Sequence, residues 1–332
     1  MDPTLTLVIT VITVALVFDF VNGFHDAANS VATVVATRVL SPLQAVVWAA
    51  WWNFVSAFSF GTGVAKTVGS GLVDLNYVDQ YVILAGLFGA IVWDLLTWWW
   101  GLPSSSTHAL YGGYAGAAIA SAGLKAIIWS GWAWIVPFIL IAPVLGLALA
   151  YLLMIAVYWL FRRSSPKRMD YFFRKLQLVS AAAFSYSHGT NDAQKTMGII
   201  TGALVKANYL SSFTVPIWVI FSAHGAIALG TLAGGWRIIR TMGSRLTRLN
   251  PRSGFCAETA AAISILFSTR LKMPVSTTHT VAGAIAGVGS IQRIKAVRWG
   301  LATEILWAWV LTIPASAAVG WASLHVIRLL VK

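Results

Sequence analysis

Apolar runs of eighteen or more residues, enough to span a bilayer as helix, recur from one end of the chain to the other. Among them are Leu43 to Ala65, Tyr81 to Trp100 and Ile135 to Phe161. A helix rises about 1.5 Å per residue, so some twenty residues match the ~30 Å hydrocarbon core. In lipid every backbone N–H and C=O must be satisfied within the segment, so a chain with this pattern folds as bundled helices. Composition agrees: 58% of the 332 residues are hydrophobic and only 10% charged, against about 25% charged in soluble domains. The single cysteine, Cys256, excludes an intramolecular disulfide framework and any cysteine-rich metal site.

The formal net charge of +13 is explained by where the basic residues stand. They cluster in three polar stretches: Arg162, Arg163, Lys167, Arg168, Arg174 and Lys175; Arg237, Arg240, Arg245, Arg248 and Arg252; and Arg293, Lys295 and Arg298. Membrane proteins keep Lys and Arg in cytoplasmic loops, so these stretches are expected inside. The stretch from 66 to 80, with Lys66, Asp74 and Asp79, is acidic on balance, and Asp2 precedes the first run without a basic residue; both are expected outside. Lacking a basic n-region, the first run reads as part of the mature protein rather than a cleaved leader. Charge of this kind orients a chain in a bilayer and gives no footing for a nucleic-acid partner.

Six of the ten acidic residues, Asp19, Asp26, Asp94, Asp192, Glu258 and Glu304, fall in or at the edge of apolar runs. Each costs roughly 2.5–3.5 kcal/mol at a helix centre. Unpaired, the set would cost on the order of 15–20 kcal/mol, more than the ~5–15 kcal/mol by which whole domains are stable. The six must be paired, protonated, near the interface, or set around a wet cavity that binds cations.

The chain is internally duplicated. Gly23-Phe24-His25-Asp26-Ala27-Ala28-Asn29-Ser30 matches Gly189-Thr190-Asn191-Asp192-Ala193-Gln194-Lys195-Thr196 at an offset of 166, and Pro103-Ser104-Ser105-Ser106-Thr107-His108 matches Pro274-Val275-Ser276-Thr277-Thr278-His279 at 171. The second register continues through Gly112 with Gly283 and Gly116 with Gly287. Because the acidic stretch near 66–80 corresponds to the basic one near 237–252, equivalent loops are expected on opposite sides, the mark of an inverted-topology repeat. The expected fold is an all-α integral membrane protein of two inverted repeats, with broken helices, two Ser/Thr-tipped hairpins and about 10–12 transmembrane segments. Residues 1–161 form the first repeat, 162–175 a basic cytoplasmic loop and 176–332 the second repeat. The crossings fall at 5–39 (broken), 43–65, 81–100, 108–124 and 132–161, then 173–205 (broken), 216–236, 256–270, 279–291 and 301–327. Arg270 and Lys272 then face outward against the charge rule, and the flanks of each Pro-Ser/Thr motif are either full crossings or half-depth re-entrant helices.

The runs Ser104-Ser105-Ser106-Thr107 and Ser276-Thr277-Thr278 follow a proline or its next residue and lead into apolar segments. A hairpin tip of this kind offers free backbone N–H groups, the positive end of a helix dipole and rotatable hydroxyls: an anion site without a fixed charge. The same residues also serve as plain helix caps. Asp26 and Asp192 interrupt apolar stretches in company with Gly and Asn, a composition suited to an unwound helix whose carboxylate and carbonyls hold a small cation. A carboxylate beside an anion-binding tip repels the anion unless a cation or proton binds between them, so co-transport follows from the electrostatics. His25, His108, His188 and His279 lie in the motif regions; His108 and His279 are expected to orient their hairpins by a hydrogen bond. A serine hydrolase would need one competent site and a G-x-S-x-G elbow, whereas the motif occurs twice and no elbow is present.

At these residues the chain resembles the PiT family of inorganic phosphate transporters, with their duplicated G-x-N/H-D-x-A-N and P-x-S-[ST]-T-H motifs, over essentially its full length. The resemblance implies a non-enzymatic, multi-pass protein of the cell inner membrane that carries phosphate with sodium or a proton by alternating access, without another cofactor and with a homodimer as a further expectation. An anion channel or exchanger of the same fold is the alternative. Carried over by position, Ser104, Ser105, Ser106, Thr107, Ser276, Thr277 and Thr278 are the expected phosphate cradle. Asp26, Asn29, Asn191, Asp192 and Lys195 are the expected cation-coupling set, with sodium, if that is the ion, at Asp26, Asn29 and Asp192. Two departures bear on the ion: Lys195 stands where the motif often has Asn, and Asn53 where animal members carry Glu. The pattern is nearer to bacterial members, some of which couple to protons and accept metal-complexed phosphate. Lys195 is read as a tethered cation beside Asp192, or as a lysine snorkelling to an interface.

Overall fold

The computed structural model describes residues 3–59, 61–242, 247–292 and 297–331. Of the charged residues weighed above, Asp2, Arg245, Arg293 and Lys295 lie outside the described residues, as does the side chain of Arg240. The described chain is helical and holds no strand: α1 (Pro3–Ala36), α2 (Pro42–Val55), α3 (Gly63–Gly71), α4 (Gln80–Trp100), α5 (Ser106–Ala122), α6 (Trp129–Leu160), α7 (Pro166–Lys206), α8 (Ile217–Ala233), α9 (Trp236–Arg240), α10 (Pro251–Arg270), α11 (Thr277–Gln292) and α12 (Trp299–Leu330). Among the described residues α1, α4, α6 and α12 are long and apolar enough to cross a membrane. Their outer faces are apolar, with Leu140, Val144, Leu152 and Trp159 exposed on α6 and Trp307, Val310 and Leu329 on α12. Polar side chains instead fill the interior, including Asp19, Asp26, Asp94, Asp192, Lys195 and Glu258. This inside-out distribution suits a bundle solvated by lipid.

The breaks fall one segment later than expected. Both α1 and α7 run unbroken through their Asp motifs, where 5–39 and 173–205 were expected to unwind. The glycines of these motifs serve close approach: a Cβ on Gly23 would stand 2.2 Å from the carbonyl oxygen of Ile227, and one on Gly189 2.7 Å from that of Asn53. No proline interrupts either helix, so nothing removes a backbone donor there. The expected crossing 43–65 is instead split into α2, a 3-10 turn at Ser56–Ser59 and α3. There the Ser56 and Ser59 hydroxyls donate to the carbonyls of Asn53 and Ser56 at 2.6 and 2.7 Å, and the Gln194 side-chain oxygen accepts from the N–H groups of Val64 and Ala65 at the start of α3. The crossing 216–236 is split likewise into α8 and α9, at Gly234, whose φ of +71° favours glycine. The basic loop is also shorter than 162–175, because Ser165 caps α7 from Pro166 onward, accepting from the Arg168 N–H at 3.4 Å.

The packing follows the duplication. The largest contacts between helices come in pairs whose numbers differ by six: α1–α8 and α7–α2, α3–α7 and α9–α1, α4–α12 and α10–α6, α5–α12 and α11–α6. Gly112 and Gly116 lay α5 against α12 as Gly283 and Gly287 lay α11 against α6. Helices α4–α5 and α10–α11 are the two hairpins. Each turns through a left-handed residue, Gly101 (φ +68°) or Lys272 (φ +61°). The carbonyls of these residues accept hydrogen bonds from Thr241 (3.0 Å) and Thr67 (2.9 Å), just after the break in each half.

Candidate functional site

The two hairpin tips reach the middle of the bundle and touch, the Thr107 hydroxyl donating to the Val275 carbonyl at 3.3 Å. There they meet the Asp motifs of α1 and α7. The Ser106 hydroxyl reaches Asp26 Oδ1 at 3.5 Å, and that of Thr278 reaches Asp26 Oδ1 at 3.4 Å. Thr277 Oγ1 lies 3.3 Å from Asp26 Oδ2 and 3.5 Å from Asp192 Oδ2. It has one proton, so it serves one carboxylate at a time. His188, one turn before Asp192 on α7, points Nε2 at Asp192 Oδ2 (3.5 Å) and Asp26 Oδ2 (3.9 Å). A ligand atom from each of Asp26, His188 and Asp192 lies within 4.8 Å of the others, and all three side chains are buried. Two like charges this close repel by on the order of 3–4 kcal/mol at an effective dielectric of about 20. A positive charge beside either carboxylate offsets that repulsion.

The predicted residues divide by task. Asp26, Asn29, Asp192, Lys195, Ser106, Thr107, Thr277 and Thr278 converge on the centre. Ser105 and Ser276 are helix caps, accepting the N–H of His108 (3.3 Å) and His279 (3.2 Å). Ser104 turns to Thr97 Oγ1 (2.8 Å) and His25 Nε2 (3.3 Å). Asn191 is spent on the second hairpin, donating to Thr269 Oγ1 (2.8 Å) and the Met273 carbonyl (3.2 Å) and accepting the Val275 N–H (3.2 Å). Its counterpart His25 does the same for the first hairpin through Thr97 Oγ1 (3.1 Å), while its Nδ1 meets Asp26 Oδ1 at 2.9 Å.

The remaining carboxylates resolve differently. Glu258 accepts from Thr33 (2.5 Å), Ser180 (2.5 Å) and Gln177 Nε2 (2.9 Å), so its burial is offset by three donors. Glu304 is exposed near the start of α12. Asp19 and Asp94 are fully buried, and none of their oxygens has a hydrogen-bond partner among the described residues. His108 and His279 do not hold their hairpins by a ring hydrogen bond as expected. Instead His279 stacks on the Trp309 ring, centroids 3.6 Å apart, and meets the His108 ring edge-on at 4.5 Å. Sequence reasoning placed His188 in the motif region without giving it a role at the centre, and passed over Gln177 as a partner of Glu258. The signal for His188 was its i,i+4 spacing to Asp192, matched by Asn22 and Asp26; Gln177 carried none.

Two helix N-termini and two carboxylates meeting at one buried centre define a membrane transporter for an anion. The chain belongs to the phosphate transporter family, whose sequence model matches residues 22–320. It is 54% identical over 322 residues, 96% of each chain, to a probable low-affinity inorganic phosphate transporter of Rhizobium meliloti. To a protein of the same description from Bacillus subtilis it is 44% identical, over 99% of this chain and all of the relative. Among solved structures it resembles one titled the sodium-dependent phosphate transporter, with a TM-score of 0.90 and 25% identity over 98% of this chain and 99% of the other. The protein is thus a membrane transporter and not an enzyme.

Proposed function

We propose that the protein is a cation-coupled symporter of inorganic phosphate, built of two inverted-topology repeats and working by alternating access across the cytoplasmic membrane. The observation that carries this reading is the sharing of hydroxyls: Thr277 and Thr278, at the N-terminus of α11, lie within 3.3–3.5 Å of the Asp26 carboxylate. A phosphate drawn to the dipoles and hydroxyls of α5 and α11 therefore sits against Asp26 and Asp192, and a cation must accompany it. In a channel or exchanger without cation coupling those two carboxylates would repel the anion uncompensated. Sodium is the first ion to try, since the solved structure the chain resembles is titled the sodium-dependent phosphate transporter; the proton is the second. The purified protein in liposomes, supplied with labelled phosphate, is expected to accumulate it above equilibrium only under an imposed sodium or proton gradient. Equilibration alone, whatever the gradient, would leave the channel or exchanger reading.

The inverted arrangement has its own test. With Cys256 replaced, a cysteine in place of Lys167 is expected to react only with a reagent on the cytoplasmic side, and one in place of Asp79 only with a reagent outside. The reverse pattern, or both on one side, refutes it.

A further inference from the structure

Two positions that the duplication makes equivalent hold different chemistry. Asp26 matches Asp192 and Asn29 matches Lys195, both at an offset of 166, while Thr107 matches Thr278 at 171. Asn29 and Lys195 each face the equivalent threonine of the opposite hairpin. The Asn29 amide donates to Thr278 Oγ1 at 2.8 Å, and Lys195 Nζ donates to Thr107 Oγ1. Beyond that they part: Nζ also meets Asp192 Oδ1 at 2.6 Å and the Val275 carbonyl at 3.1 Å. Lys195 is 1% exposed and among the largest fully buried side chains, so it does not snorkel. An ammonium has three N–H donors, and here they meet a carboxylate, a hydroxyl and a backbone carbonyl, the oxygen ligands that a small hard cation takes.

We propose that Lys195 is a built-in cation that occupies the second-repeat half of the coupling site, so that only the Asp26 half takes an exchangeable one. This rests on the symport reading and adds to it a cation count. Its ammonium neutralises Asp192 throughout the cycle. Because it also holds Thr107, it ties the first hairpin tip to α7 by a charge, whereas Asn29 ties the second tip to α1 by a neutral amide. Each phosphate then travels with one cation fewer than a symmetric pair of half-sites would carry.

The full-length protein in liposomes decides this by the dependence of phosphate uptake on sodium at fixed pH, and on pH without sodium, together with the reversal potential. The wild type is expected to show a Hill coefficient of about one for its coupling ion, and Lys195→Asn about two, with the reversal potential shifted by one further charge per phosphate. Lys195→Arg should keep the wild-type steepness. The double exchange Asn29→Lys with Lys195→Asn, which moves the fixed charge to the other half, should return the count to one. A wild type that exchanges two cations overturns the proposal whether or not any variant folds, as does Lys195→Asn transport with unchanged steepness and reversal potential. A wild type indifferent to both ions refutes symport itself, a result distinct from coupling by two.

Discussion

The two halves of the central site are related by duplication and differ in how they balance charge. In the first, Asp26 is met by hydroxyls of Ser106, Thr277 and Thr278 and by His25 and His188, with no Lys or Arg paired to it among the described residues. In the second, Asp192 is paired with Lys195 at 2.6 Å. The same backbone arrangement therefore supports one carboxylate bordered by hydroxyls and histidines and another that carries its own ammonium. A duplicated fold thus fixes where the groups stand without fixing the charge they carry.

The comparison breaks most sharply at the carboxylates. Asp26→Asn and Asp192→Asn are each expected to abolish accumulation of labelled phosphate in liposomes; wild-type accumulation in either removes that residue from the coupling site. Stability should separate them. Asp192→Asn leaves the Lys195 ammonium buried without its partner, at a cost of about 3–5 kcal/mol, whereas Asp26→Asn strands no such charge. Thermal unfolding in detergent reads the difference, and adding Lys195→Asn to Asp192→Asn should restore most of the loss.

Smaller effects sharpen the division among the hydroxyls. Replacing Thr277 and Thr278 together by Val removes two donors at the ligand centre and should weaken phosphate binding, measured by calorimetry, by about ten- to a hundredfold. Unchanged affinity would return both to helix capping. The smallest change is expected from Ser105→Ala and Ser276→Ala, which cap α5 and α11: each should lower stability by about 1 kcal/mol and leave phosphate affinity within about threefold. A large loss of affinity from either would move that serine into the cradle.

Much of this protein was legible in its sequence because the signals are local or periodic. Long apolar runs dictate helices in lipid, the cost of buried carboxylates draws attention to six acidic residues, and the repeated motifs pair two of them, Asp26 and Asp192, with two hairpin tips. The tertiary structure alone decided which member of each motif faces the centre. Ser105 and Thr107 are two residues apart in one run, yet one caps a helix and the other reaches Lys195 on α7, 88 positions along the chain. Likewise the glycines that help predict unwinding in α1 and α7 are spent on close packing against α8 and α2, and the breaks arise elsewhere. Periodicity and composition report what a segment can do in isolation. Which hydroxyl meets which charge depends on contacts between halves that lie far apart in sequence, and those are fixed only when the helices pack.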